Sequence, residues 1–231
     1  MLDEWSKVFH IKSEVRFGPI IDNNGINLFY DEDSNIKEII NNLRSVIETE
    51  NDYRSIMIAG HAGVGKTTLL HYIKSRLDSQ KYDLFIINNK ENNTEFGIIE
   101  DINRKFKFFY RELFLKVEKT DSKIDKEIKK ILDNMFADIE YQNIFEKYRL
   151  YLYTYEKLCD DIVIYNSGVV KKLRIALDQI DLLDSNQMLK ILHTNFTPII
   201  HARYIIATIC ARFETLDSAK KSVDNFFCNK F

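Results

Sequence analysis

Apolar positions fall into two regimes along this chain. Short apolar runs bounded by polar residues stand at Ser55–Ala59, Tyr82–Asn88, Lys172–Asp178 and Arg203–Thr208, and they read as buried strands. Between them, apolar residues recur at three- and four-residue intervals, as on one face of a helix. Leu69, Leu70, Ile73 and Leu77 form one such stripe; Ile36, Ile39, Ile40, Leu43 and Ile47 form another, with Asp33 or Ser34 as N-cap. The stretch 91–168 carries three more. They are Phe106, Phe109, Tyr110, Leu113 and Val117; Ile124, Ile128, Ile131, Leu132 and Met135; and Phe145, Tyr148, Leu152, Tyr155 and Cys159. About three helices are therefore expected between the second and third strands, more than a plain crossover needs. A helix over Ser185–Leu192 and a last strand over Val223–Cys228 complete the pattern. Residues 1–33 form an N-terminal segment of short apolar pieces around a turn at Asn23–Gly25, and 34–231 reads as one domain with 91–168 as a helical insertion.

Composition changes this picture little. With 231 residues, 45% hydrophobic and 29% charged, the chain can bury a sizeable core and suits one α/β domain with elaborations. Lys+Arg 33 against Asp+Glu 35 leaves a formal charge of −2, so no global field draws the chain to nucleic acid or an anionic membrane. No run of 18 apolar residues exists, and the acidic, interrupted N-terminus does not have the form of a signal peptide. Cys159, Cys210 and Cys228 are odd in number and far apart, which reads as reduced, packed thiols; a cytoplasmic location follows as the expectation. The five histidines show no metal-ligand spacing.

Candidate chemistry begins where the first strand ends. Gly60-His61-Ala62-Gly63-Val64-Gly65-Lys66-Thr67 fits G-x-x-x-x-G-K-[ST], a phosphate-binding loop, and is followed by Thr68 and a helical stripe. A strand, a glycine-rich turn and a helix are the context that this motif requires. Glycines at 60, 63 and 65 free the backbone to aim successive N–H groups at phosphate, and the helix N-terminus favours an anion. Lys66 would reach the β- and γ-phosphates and the Thr67 hydroxyl would ligate Mg²⁺. His61 lies in the variable part of the loop and receives no catalytic role.

Downstream, Lys172–Asp178 is an apolar strand closed by an acid, the Walker B pattern, and Asp178 would hold the Mg²⁺ shell. The next residue, Gln179, is the size of glutamate but cannot take a proton, so it would orient a water and hydrolysis is expected to be slow. Asp181 either substitutes for that base or, as the favoured alternative, caps the following helix. Thr208 or Arg212, at the end of the fourth strand, would lie near the γ-phosphate; a solvated loop arginine is the alternative for Arg212. Arg104–Arg111 mixes bases with aromatics, as single-stranded nucleic-acid platforms do, although Phe106, Phe109 and Tyr110 also fit a buried helix face, the favoured reading. Asn88-Asn89-Lys90-Glu91 does not match N-K-x-D and precedes the Walker B strand, which favours adenine over guanine.

Together GVGKTTLL, LRIALDQID and RYIIATICAR resemble the AAA+/STAND class of P-loop NTPases over roughly residues 34–215. The resemblance implies an α/β fold with a parallel sheet in the order 5-1-4-3-2, ATP and Mg²⁺ as cofactors, and nucleotide-controlled switching or oligomerisation with a protein partner or a second copy. It assigns Lys66, Thr67, Asp178 and Arg212 the phosphate, metal and sensor roles. Gln179 departs from the family's acid, and the helical lid of those families has no counterpart in the sequence given. Three functions stand open: a slow ATPase module, a nucleotide-gated scaffold with little chemistry, and a DNA-associated ATPase of initiator or transposition-helper type that rests on Arg104–Arg111 alone.

Overall fold

The computed structural model describes residues 40–41, 44–45, 48, 56–61, 63–88, 95–120, 122–160, 168–180 and 190–212. Four strands form one sheet: β1 (Ile56–Ala59), β2 (Tyr82–Asn88), β3 (Lys172–Asp178) and β4 (Ile206–Ala211). They lie in the order β1-β4-β3-β2, and every pairing is parallel. A strand beyond β1, the fifth of the expected order, is not among the described strands, and 223–228 lies outside the described residues, as does 1–33. Helix α1 (Lys66–Arg76) follows β1. Helices α2 (Glu95–Val117), α3 (Lys123–Ile139) and α4 (Ile144–Asp160) stand between β2 and β3, and α5 (Thr197–His201) precedes β4.

Both faces of the sheet are covered, which is why its strands read as continuous apolar runs. Leu84, Ile86, Ala176 and Cys210 point to one face, where Leu69, Leu70 and Ile73 of α1 and Leu77 just after it pack with Ile40. Phe85, Ile87, Leu173, Ile175, Leu177 and Ile209 point to the other and meet the three inserted helices. That second core is strongly aromatic. The Phe106 ring stacks on Tyr110 at 6.0 Å and on Tyr151 at 5.7 Å, and meets Phe85 edge-on at 5.5 Å. Phe106, Phe109 and Tyr110 are thus core residues, and of the aromatics in that stretch only Phe108 is exposed, at 67%. Phe106→Ala is expected to remove about 3–5 kcal/mol of stability, read as a fall in the urea midpoint at unchanged slope.

Polar atoms tie the layers. The Tyr155 hydroxyl accepts from Leu173 N–H at 2.8 Å and donates to Lys171 O at 3.3 Å, locking α4 to the start of β3. Arg174, inside β3 and 2% exposed, donates to Leu173 O at 2.8 Å and lies 5.4 Å from the Tyr82 ring centroid, so its charge is delocalised against a hydrogen bond and an aromatic face.

Two expectations about β4 and its approach need correction. The strand begins at Ile206 rather than Arg203, because Arg203 N–H donates to Glu156 and both Arg203 and Tyr204 bond Asp160 at the end of α4. Those contacts hold the pair in a turn outside the ladder. Of the helix expected over Ser185–Leu192, residues 185–189 lie outside the described residues, Lys190 is α-helical, and Ile191–Phe196 form a π-helical turn that leads into α5. Thr197 Oγ1 donates to Leu192 O, five residues back, and Pro198, with no N–H, cannot contribute a bond to an α ladder.

Cys159 and Cys210 are buried free thiols, while Cys228 lies outside the described residues. Burial pushes the Cys159 thiol up to about 12. Such a shift stabilises the fold fully below the unfolded thiol's pKa, a contribution lost as pH rises through the folded value. Iodoacetamide at pH 8 is expected to spare Cys159 in the native protein and to label it once urea unfolds the chain, as peptide mass spectrometry would show. No helix among the described residues is long and apolar enough to cross a membrane.

Candidate functional site

The C-terminal ends of β1, β3 and β4 meet at one edge of the sheet, and the glycine-rich loop starts there. Gly60 N–H donates to Ala211 O at 3.3 Å, which joins the loop's first residue to the last residue of β4. Gly63 and Gly65 take φ of 79° and 91°, the left-handed region that a Cβ disfavours. At Gly60 space is the constraint, since an added Cβ would stand 3.0 Å from Val64 Cγ2. The loop runs straight into α1, whose N-cap is Gly65. No side chain caps that end and no acid occupies its first turn, so the helix presents uncompensated N–H groups and its positive pole to the loop.

Lys66 folds back over this concavity. Its Nζ donates to Gly60 O at 2.8 Å and to His61 O at 2.9 Å. The ammonium is thereby held against the backbone N–H groups that would face an anion. His61, Gly63 and Val64 are exposed; Gly65, Thr67 and Thr68 are half-buried; Ala62 lies outside the described residues.

Thr67, the second residue of α1, reaches across to the end of β3. Its Oγ1 donates to Asp178 Oδ2 at 2.6 Å, joining residues that are 111 apart in the chain. Asp178 is 1% exposed. Gln179 follows with φ 57°, the one positive φ outside glycine among the described residues, and its Nε2 stands 3.5 Å from Thr67 Oγ1. The left-handed turn directs the chain out of the strand and brings the amide back towards the loop. One hydroxyl, one carboxylate and one amide therefore converge beside Lys66.

A hydroxyl and a carboxylate oxygen within hydrogen-bonding distance are hard donors of the kind Mg²⁺ takes from protein, the rest of its octahedron being water and phosphate oxygen. The site fits that ion and a phosphate chain. Among the described residues no cluster of three or more His, Cys, Asp and Glu side chains forms, and a phosphate-bound Mg²⁺ needs none.

Other expected residues fall differently. Thr208 pairs with Ile56 and Ala176 in the middle of β4 and is buried, so it does not stand at the strand's end; the strand reaches three residues further than its apolar run suggested. Arg212 comes directly after Ala211, whose carbonyl holds the loop, and is half-buried. Asp181 lies outside the described residues. Two polar residues at this edge were not singled out from the sequence. Asn88 is the register partner of Asp178 at the end of β2, and a polar residue closing an apolar run was the signal for it. His71, one turn beyond Thr67 on α1, is half-buried. Burial first, then Lys74, holds its pKa below the usual value, while the Asp178 charge acts the other way.

Comparison with family models and with curated proteins found no match. Among solved structures the chain is similar to the ORC2 protein of Aeropyrum pernix, determined in ADPNP-ADP complexes, at 12% identity and a TM-score of 0.49. The likeness covers 90% of this chain and 49% of that one, so the chain spans about half the length of that protein.

Proposed function

We propose that the chain is an ATP-Mg²⁺-binding P-loop ATPase module of AAA+/STAND type, in which slow hydrolysis is coupled to conformational switching or assembly. One observation carries this reading: the glycine-rich loop, with Lys66 folded over it, lies beside the Thr67–Asp178 hydrogen bond of 2.6 Å. In this reading 34–231 is the ATPase domain and 91–168 its helical insertion. The two buried free thiols fit a reducing, cytoplasmic setting.

Each residue then has a defined task. The N–H groups from Gly60 to Thr68 and the positive end of α1 hold the phosphates, and Lys66 exchanges its two carbonyl partners for phosphate oxygens. Thr67 and Asp178 hold Mg²⁺, which neutralises charge on the phosphate chain when it is bound. Gln179 orients the attacking water through its amide without accepting its proton. Arg212, placed after β4, senses the γ-phosphate.

A second reading, a nucleotide-gated scaffold with little hydrolysis, is favoured by Gln179 itself, since no proton acceptor occupies that position. The DNA-associated alternative loses its stacking platform, because Phe106, Phe109 and Tyr110 are in the core. The deciding experiment identifies the nucleotide retained by purified protein and measures turnover and mass in solution with and without ATP-Mg²⁺. Adenine nucleotide and a larger species with ATP-Mg²⁺ are expected; a preference for guanine, or no binding, overturns the proposal.

A further inference from the structure

The three inserted helices enclose a second feature, on the sheet face opposite α1. A cavity of about 900 Å³ lies among α2, the end of α3 and the start of α4. Its lining on α2 runs from Gly97 to Arg111, which at 1.5 Å per residue is a length of about 21 Å. About six extended residues would span it.

Its chemistry is graded. Phe136, Ile139, Ile144 and Tyr151 give it an apolar side. Lys107 and Arg111, one turn apart on α2, and Lys147 on α4 give it positive charge, and among the described residues no carboxylate pairs with any of the three. Arg104 is instead bound to Asp101 at 2.6 Å. Glu100 and Glu140 also line the groove, so three cations face two carboxylates once that pair is set aside. At the wall Asn103, 9% exposed, donates from Nδ2 to Ile144 O at 2.8 Å, while its Oδ1 has no partner among the described residues. The residues that flank the lining add exposed rings: Phe96, 59% exposed, packs edge-on against Phe145 at 5.5 Å, and Tyr141 is 86% exposed.

We propose that this groove binds a segment of a partner protein that carries carboxylates and apolar side chains. The carboxylates pair with Lys107, Arg111 and Lys147, and the apolar side chains lie on Phe136, Ile139 and Ile144. Nucleic acid fits less well, because the stacking rings of α2 are in the core. The inference does not rest on nucleotide binding.

Fluorescence anisotropy on the full chain tests it with three labelled probes: a short peptide of alternating Glu and Leu, its counterpart with Lys for Glu, and a thymidine oligonucleotide. The acidic peptide is expected to bind at least about tenfold more tightly than the basic one, and to weaken with salt. Lys107→Glu with Arg111→Glu should cost about another tenfold, whereas Lys126→Glu with Lys130→Glu, on the exposed side of α3, should leave binding unchanged. All four side chains are exposed, so these variants keep the fold, which circular dichroism verifies. Equal binding of the two peptides, equal loss in both double variants, or an oligonucleotide that outcompetes the acidic peptide and is lost with Lys107 and Arg111 would each overturn the proposal.

Discussion

Lys66→Ala is expected to weaken ATP-Mg²⁺ binding by about 100-fold and to abolish turnover. The ammonium donates to Gly60 O and His61 O, within reach of any anion seated on the loop. A charge-assisted hydrogen bond contributes about 1.5–3 kcal/mol, and losing it against a phosphate chain gives about 10- to 150-fold per contact. The substitution opens no buried cavity, because Lys66 is only half-buried, so the unfolding midpoint without nucleotide should stay near the wild-type value. Titration with a fluorescent ATP analogue measures the first effect and phosphate release the second. Turnover that survives would mean that the activity comes from another site.

The second large effect concerns the chemical step. Gln179→Glu is expected to raise the single-turnover hydrolysis rate by about 10²-fold, the lower end of what a general base contributes. In the proposed reading Gln179 takes the position of such a base, its amide 3.5 Å from Thr67 Oγ1 and one residue from Asp178. A second carboxylate beside Asp178 would carry a raised pKa through like-charge repulsion. That brings it nearer the operating pH, and the variant should gain an ascending limb in its pH–rate profile that the wild type lacks. An unchanged rate would place the base elsewhere and strengthen the scaffold reading.

Much of this arrangement was legible in the sequence. Strands β2 and β3 were read to the residue, because each is an apolar run buried on both faces and closed by a polar side chain, Asn88 or Asp178. The helical stripes of 91–168 were legible for the same reason, since each buries one face against Phe85, Ile87 or a neighbouring helix. Where reading slipped, a distant contact had overridden local pattern. Arg203 and Tyr204 look like strand residues, but Glu156 and Asp160, over forty residues earlier, hold them in a turn. The left-handed backbone of Gln179 had no signal at all, because nothing in its residue type requires a positive φ. The groove was equally hidden. It depends on how far apart α2, α3 and α4 stand, and helical periodicity gives faces but no distances.

The strand order also governs the sequence of events during synthesis. β4 lies between β1 and β3, and it is the last described strand to leave the ribosome. Until it inserts, β1 has no partner among the described strands and β3 is paired on its β2 side alone, so two apolar edges are exposed, a hazard for association between nascent chains. The loop is then incomplete as well, because Gly60 has not yet met the Ala211 carbonyl. β2 and β3 can pair earlier, with α2–α4 already formed from local contacts, so the half-built molecule carries its aromatic layer before its glycine-rich loop is braced. Ligand capacity in a growing chain should therefore switch on abruptly, in the same step that closes the sheet.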